Sequence, residues 1–161
     1  MITAMEQKSK PIKQKGKNKL VNSIIINDNT ELVFSIWEVD DKKFAGIRKY
    51  IHTKKYTGPT RSGITFSKNN LEKIMSFFKE ESQNIPNQRV EAEISKIEKS
   101  QNSHIVISLR ESTLDNHPVC IDMREYVKSP SYEGPTKKGF RFSVHQLEEF
   151  VLNCEDLIKL L

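Results

Sequence analysis

Two short stretches of the chain place basic and aromatic side chains next to each other in a β-strand pattern. The two trios occupy every second position: Arg48, Tyr50 and His52 in the first stretch, and Arg124, Tyr126 and Lys128 in the second. Because successive side chains of a strand point to opposite faces, each trio is predicted to lie on one face of a sheet. Cations can follow the phosphates while rings stack on bases, so such a face suits single-stranded nucleic acid.

The residues that alternate with these trios are mostly apolar and predict the core side of the same strands. They are Ala45, Ile47 and Ile51 in the first stretch, and Ile121, Met123 and Val127 in the second. An alternative interpretation is that Tyr50 and Tyr126 pack across strands and that the lysines are ordinary surface residues. The pattern alone leaves both interpretations open.

More basic and aromatic residues surround the two stretches, and they are denser around the first. No acidic residue occurs between positions 48 and 61, whereas Glu125 and Glu133 dilute the matching part of the second stretch. Trp37 and Arg110 occupy matching positions on the non-core face of the preceding strand. The candidate nucleic-acid-binding residues are Trp37, Arg48, Tyr50, Lys54, Lys55, Tyr56, Arg61, Arg110, Arg124, Tyr126, Lys128, Lys137, Lys138 and Arg141.

No other chemistry has a comparable pattern. The four histidines lack metal-type spacing with each other or with the cysteines, and no phosphate-cradling glycine loop or nucleophile motif occurs. No acid–base group is repeated beside a basic or nucleophilic partner. We therefore predict a binding protein that is not an enzyme, with no catalytic residue, metal or cofactor.

The cysteine usage and the hydropathy predict an intracellular protein. Cys120 and Cys154 form no CxxC motif and are expected to be small core residues in a reducing compartment. That compartment would be the cytoplasm or nucleoid, or the nucleus in a eukaryote. No run of 18 apolar residues occurs, so no membrane span and no membrane partner are expected.

The two stretches belong to a longer segment that occurs twice. Residues 47–75 and 123–151 align without a gap at an offset of 76, and eleven of 29 columns are identical. Such self-similarity predicts two copies of one structural unit. A unit of about 65 to 75 residues buries only a marginal core, so the two halves are expected to pack together.

The same order of elements, four strands and then a helix, is predicted in each half. The expected strands are residues 21–26, 32–39, 44–52 and 64–66, and then residues 90–97, 104–110, 119–127 and 140–142. The helices are expected to bury residues at helical spacing. These are Leu71, Ile74, Met75 and Phe78 in the first, and Leu147, Phe150, Val151 and Cys154 in the second. Ser67 is predicted to cap the first helix, and Ser143 with Gln146 forms a capping box for the second.

The fold class is therefore α+β, with two β-β-β-β-α repeats at residues 20–84 and 85–161. Residues 1–19 are expected to form a disordered basic tail, because they lack hydrophobic periodicity. The tail has six lysines and one glutamate, a net charge of +5 that equals the charge of the whole chain. It fits a cationic arm for nucleic acid and a solubilising leader equally well.

Several motifs together carry a family resemblance. They are I-D-M-R-E-Y-V at residues 121–127, G-P-T-K-K-G-F-R-F-S at residues 134–143 and a following helix with Leu147. This segment resembles the single-stranded-DNA-binding domain of the Positive Cofactor Four transcriptional coactivator family. The first copy, with G-I-R-K-Y-I and G-P-T-R-S-G-I-T-F-S, is similar but looser. The purine-rich-element-binding repeats share the architecture and ligand class, but the R-E-Y and K-G-F residues favour the coactivator family.

The resemblance implies curved antiparallel sheets, dimerisation, and single-stranded DNA gripped along sheet and hairpin channels. In a tandem chain the two copies would pair as an intramolecular pseudo-dimer. The basic residues carried over by position are Arg48, Arg61, Arg124, Lys137 and Lys138. The chain departs from the family at three places. Ile51 or Val127 replaces a stacking tryptophan, and Ser62 replaces a basic residue. Gly58 and Gly134 stand where the family has a further basic residue.

We therefore expect largely sequence-independent binding of single-stranded DNA or RNA, in transcription, replication or repair. The alternative is a protein-interaction module that docks on transcription or replication proteins through its helices and basic tail. The first half is expected to carry most of the ligand. Residues 20–84 hold ten basic and eight acidic side chains, whereas residues 85–161 hold ten and twelve.

Overall fold

The computed structural model of the protein describes residues 16–85, 91–111 and 119–161. In the first half, strands β1 to β4 are followed by helix α1. Their bounds are β1 Lys17–Asn27, β2 Thr30–Val39, β3 Lys42–His52, β4 Thr57–Phe66 and α1 Lys68–Glu81. In the second half, a 3₁₀ turn at Val144–Gln146 precedes helix α2. The bounds there are β5 Ala92–Ser100, β6 Ser103–Glu111, β7 Val119–Ser129, β8 Tyr132–Ser143 and α2 Leu147–Leu160.

This architecture confirms the predicted fold class of two β-β-β-β-α repeats. Each sheet has four antiparallel strands in sequence order, β1-β2-β3-β4 and β5-β6-β7-β8. None of the helices in the described ranges is long and apolar enough to cross a membrane.

Several strand boundaries differ from the prediction. Strand β1 begins at Lys17, so Lys17 and Lys19 belong to a strand rather than to the tail, and residues 1–15 lie outside the described residues. Strands β4 and β8 are ten and twelve residues long. The prediction began both strands too late, because Gly-Pro usually breaks a strand. Here the proline pairs at a register shift, where the missing N–H is tolerated.

The repeated Tyr-x-Gly-Pro-Thr segment builds this irregular hairpin in the same way twice. Gly58 and Gly134 have φ angles of 150° and 152°, a region that favours glycine. The Tyr56 hydroxyl donates to the Pro59 carbonyl at 2.7 Å. The same hydroxyl oxygen would lie 3.0 Å from a Cβ atom added at Gly58, so the ring packs closely against this glycine. The Thr60 hydroxyl donates to the Lys49 carbonyl at 2.8 Å, and the second copy repeats both bonds. These identities therefore have a structural cause.

The predicted core faces of the helices and strands are largely confirmed. All four α1 residues are buried, as are Leu147, Phe150 and Cys154 of α2, whereas Val151 is half-buried. Ser67 accepts a hydrogen bond from the Asn70 amide, and the capping box of Ser143 is present. Of the strand residues assigned to the core, Ile51 and Val127 are only half-buried, because they lie near the strand ends beyond the helices.

The two halves pack together, as predicted from the size of one repeat. The centroid of the Phe150 ring lies 4.2 Å from the ring centroid of Phe142 in its own half. It lies 5.6 Å from that of Phe34 in β2 and 5.8 Å from that of Phe78 in α1. Helix α2 packs on β1 and β2, helix α1 packs on β5, and β4 contacts β8. Each helix therefore covers part of the other half's sheet, and no helix of the described residues lies on the opposite face of either sheet. We call this the outer face.

Candidate nucleic-acid interface

The outer face of the first sheet brings together four of the predicted residues. Trp37 of β2 and Arg48 and Tyr50 of β3 line one shallow groove with Arg61 of β4. The strand register explains this arrangement. Gly46 pairs with Ser35, and Arg48 pairs with Val33, so residues two apart on β3 share the face with Trp37.

Gly46 gives the Trp37 indole a place to lie across the sheet. A Cβ atom added at Gly46 would lie 3.4 Å from both Cδ1 and Nε1 of the indole. The ring therefore passes close over the β3 backbone while 37% of the residue stays exposed. A flat, partly exposed indole next to a guanidinium is a surface on which a base can stack.

Four predicted basic residues of the first half, Arg48, Lys54, Lys55 and Arg61, form no ion pair with a carboxylate of the described residues. The Arg48 guanidinium donates to the Thr60 carbonyl at 2.8 Å, which holds the side chain across the hairpin. Arg61 is exposed on β4, and Lys54 and Lys55 are exposed in the turn after β3. The donors of these residues that face solvent are therefore available to an anion.

A second groove lies where β4 meets β8, and it collects cations from both halves. Arg48 and Arg61 line it from one side, and Lys137 and Lys138 line it from the other. Lys99 and Glu125 also line it, and they form an ion pair of 2.6 Å with each other. Four cations of this groove thus remain without a carboxylate partner among the described residues.

The predicted arginines of the second half are engaged with carboxylates. The Asp122 carboxylate, in a residue only 3% exposed, accepts hydrogen bonds from Arg141 Nε at 2.9 Å and Arg124 Nη2 at 3.1 Å. Arg110 donates to Glu91 at 2.8 Å. Hydrogen bonds from the Glu111 amide and Arg110 lower the pKa of Glu91, whose carboxylate in turn raises the pKa of Arg110. These contacts reduce the availability of all three residues to a ligand.

The tyrosines and the remaining lysines occupy different surroundings in the two halves. Tyr126 stacks on His104 with ring centroids 5.5 Å apart, which is the cross-strand packing of the alternative interpretation. Tyr50 instead pairs in register with Glu31, which interacts with His52. Tyr56 is 48% exposed although its hydroxyl is bonded, and Lys128 is exposed opposite Glu133.

Sequence reasoning missed two differences between the outer faces. Gly46 and Asp122 occupy the same column of the repeat, and this difference decides whether the neighbouring arginine is paired. Leu20 and Ile25 of β1 are 58% and 73% exposed on the first outer face. The matching β5 residues, at an offset of 73, are Glu93 and Glu98. Both differences are visible in the aligned copies once the strand register is known.

No group of three or more histidine, cysteine or acidic side chains within the described residues could hold a metal ion. No protein-family model matches the chain, and a search of curated proteins finds none similar to it. We therefore infer function from the side chains of the sheet faces.

Proposed function

We propose that the protein binds single-stranded DNA or RNA, largely independent of sequence, on the outer face of the first sheet and in the groove between the halves. The observation that carries this proposal is the Trp37 indole over Gly46, next to Arg48 and Tyr50. Stacking platforms interleaved with cations are what a single strand requires, because every base has a π-face and every nucleotide has a phosphate.

The charges support an anionic ligand. Arg48, Arg61, Lys137 and Lys138 converge on one groove, and none of them forms an ion pair with another described residue. Such a convergence raises the electrostatic potential locally and attracts a polyanion. The exposed Leu20 and Ile25 extend the first outer face with apolar surface. Bases that leave the stack can pack on such a surface.

The cellular role is proposed on the resemblance to the Positive Cofactor Four coactivators. A protein of this kind would protect or present single strands during transcription, replication or repair, inside the cell and without catalysis. The alternative role, docking on transcription or replication proteins, requires a protein partner instead of a polyanion. The two roles therefore differ in their dependence on salt and on oligonucleotide.

The experiment is a fluorescence titration of the full chain with an oligothymidylate. Trp37 is the only tryptophan, so stacking on it should quench the intrinsic fluorescence directly. If each of the four groove cations contacts one phosphate, the log–log salt slope should be about −2.8, since each contact contributes about −0.7. Absence of quenching together with a slope near zero would reject the proposal and favour the protein-docking role.

A matched variant controls for loss of charge alone. Lys73 is exposed on α1, on the helix side of the first sheet, and Lys73→Ala removes one positive charge there. We expect Lys73→Ala to leave the slope unchanged and Lys137→Ala to reduce its magnitude by about 0.7. Equal effects of the two variants would mean that net charge, rather than the groove, attracts the oligonucleotide.

A further inference from the structure

The second sheet carries the same outer-face framework as the first, with one important difference. Arg124 repeats Arg48, and its guanidinium also donates to the hairpin carbonyl of Thr136, at 3.0 Å. The column two residues before this arginine is Gly46 in the first copy and Asp122 in the second. Because residues two apart share a strand face, the Asp122 carboxylate points to the side of the sheet that carries Arg124.

Asp122 is placed to form ion pairs with both arginines of this face and to cancel one of their two positive charges. Its Oδ1 atom accepts from Arg141 Nε and from Arg124 Nη2, at 2.9 and 3.1 Å. The carboxylate is 5% exposed, so solvent screens these contacts less than it would at an open surface. Phosphate binding here would require a second anion next to a buried carboxylate, and like charges at this distance repel.

We propose that Asp122 silences a second nucleic-acid-binding face, so that each chain holds one single strand, on the first outer face and in the groove between the halves. The proposal rests on the function proposed above, and it assigns to one residue the asymmetry of that site. Glu93 and Glu98 on β5 add negative charge to the same face, where the first sheet has Leu20 and Ile25. Asp122 differs from them because it contacts the two guanidinium groups directly.

The test is the number of short oligonucleotides bound by Asp122→Asn. Asparagine keeps the shape and one acceptor oxygen but removes the charge, which releases Arg124 and Arg141 toward solvent. Both guanidinium groups are already partly exposed, with side-chain exposures of 26% and 51%, so water can solvate them. With an oligothymidylate of about eight nucleotides, within the site size of small binding folds, wild type should bind one oligonucleotide per chain and the variant two.

The second binding event should have its own salt dependence. Two released arginines should give it a slope of about −1.4, with binding weaker than at the first half because Arg110 stays paired with Glu91. Glu98→Gln is the matched control, because it removes one exposed negative charge from the same face without releasing an arginine. We expect Glu98→Gln to bind one oligonucleotide, as wild type does.

The outcomes separate this proposal from the function on which it rests. One oligonucleotide on both wild type and Asp122→Asn, or two on wild type, would overturn the silencing role and leave the binding function in place. Binding by the variant alone would support silencing and reject the proposed function of the wild-type chain. Binding by neither protein would reject both. If thermal unfolding shows that Asp122→Asn is not folded, Asp122→Gly, the residue of the first copy, takes its place.

Discussion

The two repeated arginines offer an internal comparison of paired and unpaired side chains. Arg48 and Arg124 occupy the same column, and each donates to a hairpin carbonyl, at 2.8 and 3.0 Å. Only Arg124 also contacts a carboxylate, that of Asp122. We therefore expect Arg48→Ala to weaken binding of single-stranded DNA and Arg124→Ala to leave it nearly unchanged.

The expected size follows from the loss of one phosphate contact. A hydrogen bond to a charged group contributes about 1.5 to 3 kcal/mol. That range corresponds to a roughly ten- to hundredfold loss of affinity for Arg48→Ala, since about 1.4 kcal/mol is tenfold. The salt slope should fall in magnitude by about 0.7 at the same time. Arg124→Ala should change affinity by less than about twofold, because its guanidinium is already committed to Asp122.

The assay is fluorescence anisotropy of a labelled oligothymidylate at several salt concentrations. Arg48→Lys keeps the charge, but an ammonium cannot bind the Thr60 carbonyl and a phosphate in the geometry of a guanidinium. Compared with Arg48→Ala, it should restore the salt slope and only part of the affinity. Thermal unfolding of each variant separates a loss of fold from a loss of contact. Equal losses from Arg48→Ala and Arg124→Ala would refute the idea that Asp122 distinguishes the two halves.

Three further measurements address the core, the hairpins and the cysteines. Phe150→Ala should lower the free energy of unfolding by about 3 to 5 kcal/mol in a single urea transition, because the ring contacts both halves; two separate transitions would contradict the shared core. The triple variant Lys128→Ala/Lys137→Ala/Lys138→Ala removes two of the four groove cations and should lower the magnitude of the salt slope by about 1.4, whereas Lys54→Ala/Lys55→Ala/Arg61→Ala removes one and should lower it by about 0.7; the reverse order would show that the turn lysines of the first half contact phosphates as well. Burial raises the pKa of the Cys120 and Cys154 thiols, that of Cys154 more, so at about pH 8 both should react with a thiol reagent far more slowly in the folded protein than in urea. Rapid labelling of Cys154 in the folded protein would show that α2 opens easily.

The sequence predicted the element order and the helix faces because these depend on local periodicity. Leu71, Ile74 and Phe78 recur at helical spacing, and each is fully or almost fully buried. The lengths of β4 and β8 could not be predicted in the same way. Pro59 indicates a break, and only the register shift opposite β3, a non-local feature, lets the strand continue through it.

The candidate site was predicted in part for a related reason. Strand alternation correctly put Arg48 and Tyr50 on the face away from the core, and the repeat put Trp37 and Arg110 in one column. Ion pairs were harder to predict, because Arg110 meets Glu91 across 19 residues and a strand pairing. The contact between Asp122 and Arg124 could have been predicted from the sequence, since residues two apart in a strand lie on the same face.

A tandem repeat allows a difference that a symmetric dimer of identical chains does not allow. In a dimer with exact two-fold symmetry, any substitution occurs on both outer faces, so an aspartate that neutralises one arginine neutralises its mate. Here the hairpin bonds of Tyr56 and Tyr132 are kept in both halves, while the column of Gly46 and Asp122 differs. The glycine lets the indole lie close over β3, and the aspartate is accommodated where Arg110 replaces that indole. The residue in this column therefore depends on the neighbouring-strand side chain that lies over it, Trp37 in the first half and Arg110 in the second. Exchanging Trp37 and Arg110 should for that reason lower the thermal unfolding temperature more when Gly46 and Asp122 stay in place than when they are exchanged as well, which circular dichroism of the two-site and four-site variants can measure.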